Sequence, residues 1–183
     1  MPRDSAPTKA RILAAATDEF AAHGLAGARI DRIAEKAEAN KQLIYRYFDN
    51  KEALLDRTLE SNIDQLLDEI PFDAFDLPGY ALALFDFGQA HPGLLRLVRW
   101  HTLERPGVLD AIPNARDSTL RKVEQMRQAQ QAGAIDATLP PADMLNLILA
   151  LIHSNMESAA DDSDNRRRAL AYGIRRLTAP ATN

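Results

Sequence analysis

The chain has 183 residues, of which 46% are hydrophobic and 26% charged, with a formal net charge of −4 and no cysteine. That size and balance suit one core-bearing domain with a small satellite, and the missing cysteines exclude disulfides, thiolate zinc sites and thiol redox sensing. No stretch approaches the roughly 18 apolar residues of a membrane span, and Met1-Pro2-Arg3-Asp4 lacks the hydrophobic region of a signal peptide, so a cytoplasmic protein without a membrane partner is expected.

Ile12, Leu13, Ala16 and Phe20 recur at helical spacing, and Gly24 supplies a left-handed stop, so a first helix ends near His23. Ile30, Ile33, Ala34 and Ala37 repeat the i, i+3, i+4, i+7 pattern, with Asp31, Arg32, Glu35 and Lys36 on the other face. Glu38-Ala39-Asn40 then makes a tight connection. Asn40 is a good N-cap for a third helix beginning at Lys41, because its side-chain oxygen can accept from the exposed amides of the next turn. Two short helices joined by such a turn form a helix-turn-helix, whose second helix offers its first residues to base edges in the major groove.

Those residues are Lys41, Gln42 and Leu43. Gln42 can pair bidentately with adenine, Lys41 can donate to guanine or to a phosphate, and Leu43 suits a thymine methyl. Tyr45, Arg46 and Tyr47 follow with groups that suit phosphate oxygens, while Ile44 and Phe48, four apart, face the core. Lys51 stands in the first turn of a fourth helix, where free amides already favour an anion. Arg29, just before the second helix, is a further candidate for the DNA backbone or a groove edge. Met1 to Arg57 carries 10 basic and 9 acidic residues, leaving 12 and 17 for the remainder. DNA binding therefore depends on gathering the cations on one face rather than on net charge.

The run ILAAATDEFAAHGLAGARIDRIAEKAEANKQLIYRYFDNKEALL resembles the N-terminal domain of TetR-type transcriptional regulators over its whole length. The match includes the glycine after the first helix, the Ile-Ala of the second and the Tyr-x-Tyr-Phe-x-Asn-Lys-Glu ending. The resemblance implies that Tyr45 and Tyr47 touch DNA, that the fourth helix links head to body, and that the last two helices pair with their copies in a four-helix dimer interface. Two positions depart from the family pattern. Glu38 replaces the usual turn glycine, so it either takes a left-handed conformation at a cost of about 1 kcal/mol or reshapes the turn. Leu43 replaces a small or hydroxylated residue and shifts the expected readout toward apolar contact.

Beyond the head the pattern is all-α, about nine helices in total, punctuated by proline and glycine. The expected division is a DNA-binding domain at 1–50 and a ligand-binding and dimerisation domain at 51–183. Lys51 to Ile70 forms a long helix ended by Pro71; Pro78-Gly79 opens another to about Ala90; His91-Pro92-Gly93 separates it from Leu94 to Glu104. The segment from Val108 to Gln131 is kinked or starts afresh at Pro113, and Gly133 ends it. From Ala142 to Met156 apolar residues occur on nearly all sides, Leu145, Leu149, Ile152 and Met156 on one stripe and Met144, Ile148 and Leu151 on another, which implies a second partner for this helix. Asp161, Asp162 and Asp164 read as caps of the last helix, since the glycine and glutamate of a calcium loop are missing.

An effector pocket in the body would draw on Phe72, Phe75, Phe85, Phe87, Trp100 and Met126, with His101, Glu104 and His153 as polar anchors and a lipophilic molecule as ligand. For each aromatic taken alone, core packing is the better reading. No metal or cofactor is expected. An enzyme is disfavoured, because the chain has no Gly-x-Ser-x-Gly, no phosphate-cradling glycine loop and no compact His, Asp and nucleophile grouping. The reading is a homodimeric, ligand-responsive repressor on a palindromic double-stranded operator. The alternative is a constitutive or partner-controlled DNA binder without an effector.

Overall fold

Proline, glycine and short polar caps set the helix boundaries seen in the computed structural model, which describes residues 5–104, 111–157 and 162–180, and all side chains in them except those of 5, 101–104 and 157. Among the described residues there are helices and no strand: α1 (Ser5–Gly27), α2 (Ile30–Lys36), α3 (Lys41–Phe48), α4 (Lys51–Glu69), α5 (Leu77–Ala90), α6 (Pro92–Glu104), α7 (Pro113–Gln131), α8 (Pro141–Glu157) and α9 (Ser163–Thr178). Gly24 interrupts α1 with φ +62° and ψ −177°, as a stop residue should, and the chain continues helically to Gly27. Asp76 caps α5 by accepting from the Gly79 amide at 2.9 Å, and a Cβ at position 79 would run into that carboxylate. Asp162 caps α9 through the Asn165 amide at 2.8 Å. None of the helices described is long and apolar enough to cross a membrane.

The helices gather into two compact units. The first comprises Met1–Gln65 and His91–Ile112, the second Leu66–Ala90 and Pro113–Asn183. The packing boundary thus differs from the expected functional division at residue 50, because α4 and α6 share the core of the head. Ile12, Ala16 and Phe20 of α1, Ile33 of α2, Ile44 of α3, Leu54 and Leu59 of α4 and Leu97 of α6 are buried together in this unit. Asn62 of α4 adds a polar tie, donating to Thr17 of α1 at 2.8 Å.

In the second unit α5 is the central element, packed against both α8 and α9, while α7 packs on α8. Leu77, Ala81 and Phe85 of α5, Met126 of α7, Met144, Leu145, Ile148 and Ile152 of α8, and Leu170 and Ile174 of α9 close its core. The two apolar stripes expected on α8 divide differently. Met144, Leu145, Ile148, Ile152 and Met156 all face inward, whereas Leu147 and Leu151 stay exposed.

Candidate nucleic-acid interface

The recognition helix is placed by two devices that the local sequence supplies. Glu38 has φ +50°, and the Ala39 amide donates back to the Ala34 carbonyl at 2.9 Å. This six-to-one bond is the Schellman closure that usually employs glycine. The left-handed alternative foreseen for Glu38 is therefore the one adopted, and the turn is not reshaped. Asn40 then caps α3, accepting from the Leu43 amide at 2.7 Å. Asn50 does the same for α4 through the Ala53 amide, also at 2.7 Å.

Ile44 and Phe48 anchor the inner side of α3, which leaves Lys41, Gln42, Tyr45 and Arg46 exposed and Leu43 and Tyr47 half-buried. The Tyr47 ring lies edge-on to Phe48, at 6.2 Å between centroids, with Lys9 and Arg46 over its face at 5.1 and 5.6 Å. Its ring is therefore partly packing. Lys41 pairs with Asp31 at 3.1 Å across the turn, an exposed contact worth at most about 1 kcal/mol. Phosphate can displace it. The Lys51 ammonium donates to the Ala28 carbonyl at 3.3 Å, tying α4 to the α1–α2 connection beside Arg29. The structure thus gathers Lys41, Gln42, Leu43, Tyr45, Arg46 and Tyr47 on one short helix, with Arg29 and Lys51 at the helix starts beside it.

Sequence reasoning missed the group that orients α2. Glu19 of α1, 9% exposed, accepts from the Arg29 amide at 2.8 Å and from the Arg32 guanidinium at 2.5 to 3.0 Å. Burial alone would raise its pKa, but the Arg32 guanidinium and the Arg29 amide outweigh burial and hold the carboxyl below its ordinary value. The Arg32 guanidinium also donates to the Gly27 carbonyl at 3.0 Å, so one charged pair fixes both the end of α1 and the start of α2. The signal was a charged residue one position before Phe20 on the buried side of an apolar stripe.

The candidate effector residues are divided between the two units. Trp100 belongs to the first unit, where it is 44% exposed and its indole lies against Gly24; a Cβ there would be 3.7 Å from the ring. Phe75 is 67% exposed because the Asp73 carboxylate holds its amide in an open turn at 2.8 Å. Phe85, Phe87 and Met126 are buried in the second unit, and His153 is exposed on α8. The side chains of His101 and Glu104 lie outside the described residues.

One polar cluster in the second unit went unforeseen. Phe72 packs edge-on to Tyr80 at 4.8 Å, and the Lys122 ammonium donates to the Tyr80 hydroxyl at 3.0 Å while lying over both rings, 5.8 and 5.3 Å from their centroids. Burial lowers the Lys122 pKa and raises that of Tyr80 to about 12.

Residues 12–58 match the family of bacterial regulatory proteins of the tetR type, and residues 76–176 match the tetracyclin repressor-like C-terminal domain. The HTH-type transcriptional repressor SCO4008 of Streptomyces coelicolor is 44% identical over 150 residues, which cover 81% of this chain and 78% of the relative. The HTH-type transcriptional regulator UidR of Escherichia coli K12 is 25% identical over 97% of this chain and 94% of its own. Among solved structures, the transcriptional regulator SCO4942 of Streptomyces coelicolor superposes with a TM-score of 0.84 at 34% identity, covering 95% of this chain and 99% of that one. The chain therefore belongs to the TetR family of bacterial regulatory proteins and is a DNA-binding transcriptional regulator, not an enzyme.

Proposed function

We propose that the protein is a cytoplasmic, ligand-responsive repressor that binds a palindromic DNA operator as a homodimer. The observation that carries the DNA contact set is the capped α3, anchored by Ile44 and Phe48 and presenting Lys41, Gln42, Tyr45 and Arg46 outward. Gln42 and Lys41 read base edges, Leu43 meets a thymine methyl, and Arg29, Tyr45, Arg46, Tyr47 and Lys51 hold phosphates. Homodimer formation is supported by the exposed Leu147 and Leu151 of α8, one turn apart, and Tyr172 of α9, 66% exposed. A two-fold dimer sets two reading heads on an inverted repeat. In the second unit the lipophilic effector draws on Phe72, Phe85 and Met126, with Tyr80 and Lys122 added as the polar end. Effector binding shifts the population toward a head arrangement that mismatches the operator.

Selection of bound sequences from random DNA, followed by anisotropy titration at several salt concentrations, tests this reading. An inverted repeat should emerge, and log K should fall against log salt by about 0.9 per phosphate contact. Gln42→Ala should weaken the selected site by about 1–3 kcal/mol and relax one base pair, whereas Lys51→Ala weakens specific and non-specific DNA alike. A flat salt response, or a stable monomer at micromolar concentration, contradicts the proposal.

A further inference from the structure

The last helix, α9, carries Arg166, Arg167, Arg168, Arg175 and Arg176, and the DNA-binding reading uses none of them. Three have folding roles. Arg167 lays its guanidinium on Asp86 with bonds of 2.8 to 3.2 Å, tying α9 to α5. Arg166 donates to the Asn155 carbonyl at 3.0 Å and lies over the Phe85 ring. Arg176 stands in the last turn, where a cation complements the negative end of the helix dipole.

Arg168 and Arg175 are different. Arg168 lies in the second turn of the helix, and among the described residues its Nε donates only to the Asp164 carbonyl of its own helix, at 3.3 Å. Arg175 has dipole complementarity but, among the described residues, no hydrogen-bond or ion-pair partner. Asp164, Arg168, Ala171 and Arg175 follow i, i+4, i+7, i+11 spacing and so form one stripe along α9. This stripe, with Arg167 and with Leu82 of α5, lines an open cleft of about 460 Å³. Leu82 and Ala171 give it an apolar floor.

We infer that this cleft binds a small amphipathic anion, a carboxylate or phosphate on a short apolar body, with Arg168 and Arg175 holding the charge and Leu82 and Ala171 the body. A guanidinium offers five donors in a planar fork that matches such groups bidentately, which an exposed lysine pair would not. Arg168 and Arg175 leave the helix about 10 Å apart along its axis, a gap that two arginine side chains can close on one anionic group. Asp164 at one end of the stripe repels a second negative charge, so the ligand has a single charged head. The site lies within the second unit and depends neither on the DNA-contact set nor on the effector reading.

Side-chain Nε–Hε resonances of the full-length protein, titrated separately with octyl phosphate below its micellar concentration and with inorganic phosphate, test the inference. Octyl phosphate should shift Arg168 and Arg175 saturably, at least tenfold more tightly than inorganic phosphate, while Arg116 of α7 stays still. Arg168→Gln and Arg175→Gln should each weaken octyl phosphate at least tenfold with unchanged helicity, and Arg175→Lys should weaken it severalfold, since it keeps the charge and loses the fork. Equal affinity for the two probes would overturn the apolar half of the site. Unsaturating shifts, parallel shifts at Arg116, or unaltered binding in both glutamine variants would overturn the site itself.

Discussion

The two compact units bury charge in opposite ways. In the first, the Glu19 carboxylate is enclosed with a guanidinium fork and a backbone amide, so each lone pair directed inward has a donor. In the second, the Lys122 ammonium is set among two aromatic rings and a phenol, with no carboxylate partner among the described residues. Cation–π contacts contribute about 0.5–2 kcal/mol each, whereas desolvating an ion costs several kcal/mol. The head has thus invested its buried charge in fixing helix geometry, and the body carries one that its own side chains leave partly uncompensated. A DNA-binding head gains from such rigid placement of its helices, whereas the second unit tolerates a less compensated group.

Glu19→Ala removes the acceptor of both Arg29 and Arg32 and should destabilise the first unit by about 3 kcal/mol, with loss of operator binding at temperatures where the second unit is still folded. Denaturant unfolding followed by circular dichroism measures it, and a loss below about 1 kcal/mol would mean that apolar packing alone orients α2. Lys122→Met should be neutral or stabilise by about 1 kcal/mol, since it exchanges an under-compensated charge for apolar volume. A loss as large as that at Glu19 would erase the contrast.

The Glu19 pKa is lowered in the folded protein, so its contribution is full above the ordinary 4.5 and is lost as pH falls through the folded value. The Lys122 pKa is also lowered, so the folded state binds fewer protons than the unfolded one between the folded value and 10.5, and stability rises with pH across that window. Tyr80 works the other way: its contribution is present below 10 and lost as pH rises toward about 12. Thermal midpoints of wild type, Lys122→Met and Tyr80→Phe should separate the two alkaline effects, Lys122→Met losing the rise and Tyr80→Phe the fall. The smallest expected change is at the turn. Glu38→Gly should relieve the left-handed strain and raise stability by about 0.5–1 kcal/mol, part of the gain being offset by the extra unfolded-chain entropy of glycine.

What was legible in the sequence was local. Gly24, Asn40, Asp162 and the prolines each act within four or five residues of themselves; Asn40, Asp162 and the prolines set helix boundaries to within a residue or two, whereas Gly24 bends α1, which runs on to Gly27. The alternation of Ile44 and Phe48 against Lys41, Gln42 and Tyr45 needed only helical geometry. Glu19 was not legible, because its partners Arg29 and Arg32 lie 10 and 13 residues away across a turn. Lys122 meets Tyr80 across 42 residues, and no periodicity links them. Residue type alone marked Phe75 and Trp100 as cavity-forming; an exposed turn holds one, and the other lies against the bend of α1.

The position of Trp100 against Gly24 has a spectroscopic consequence. It is the chain's single tryptophan, so the intrinsic emission of the whole molecule originates in the unit that carries α3. Its partial exposure leaves the emission maximum sensitive to solvent at the bend of α1. A wavelength change on adding a compound would therefore report on the surroundings of Trp100 at that bend.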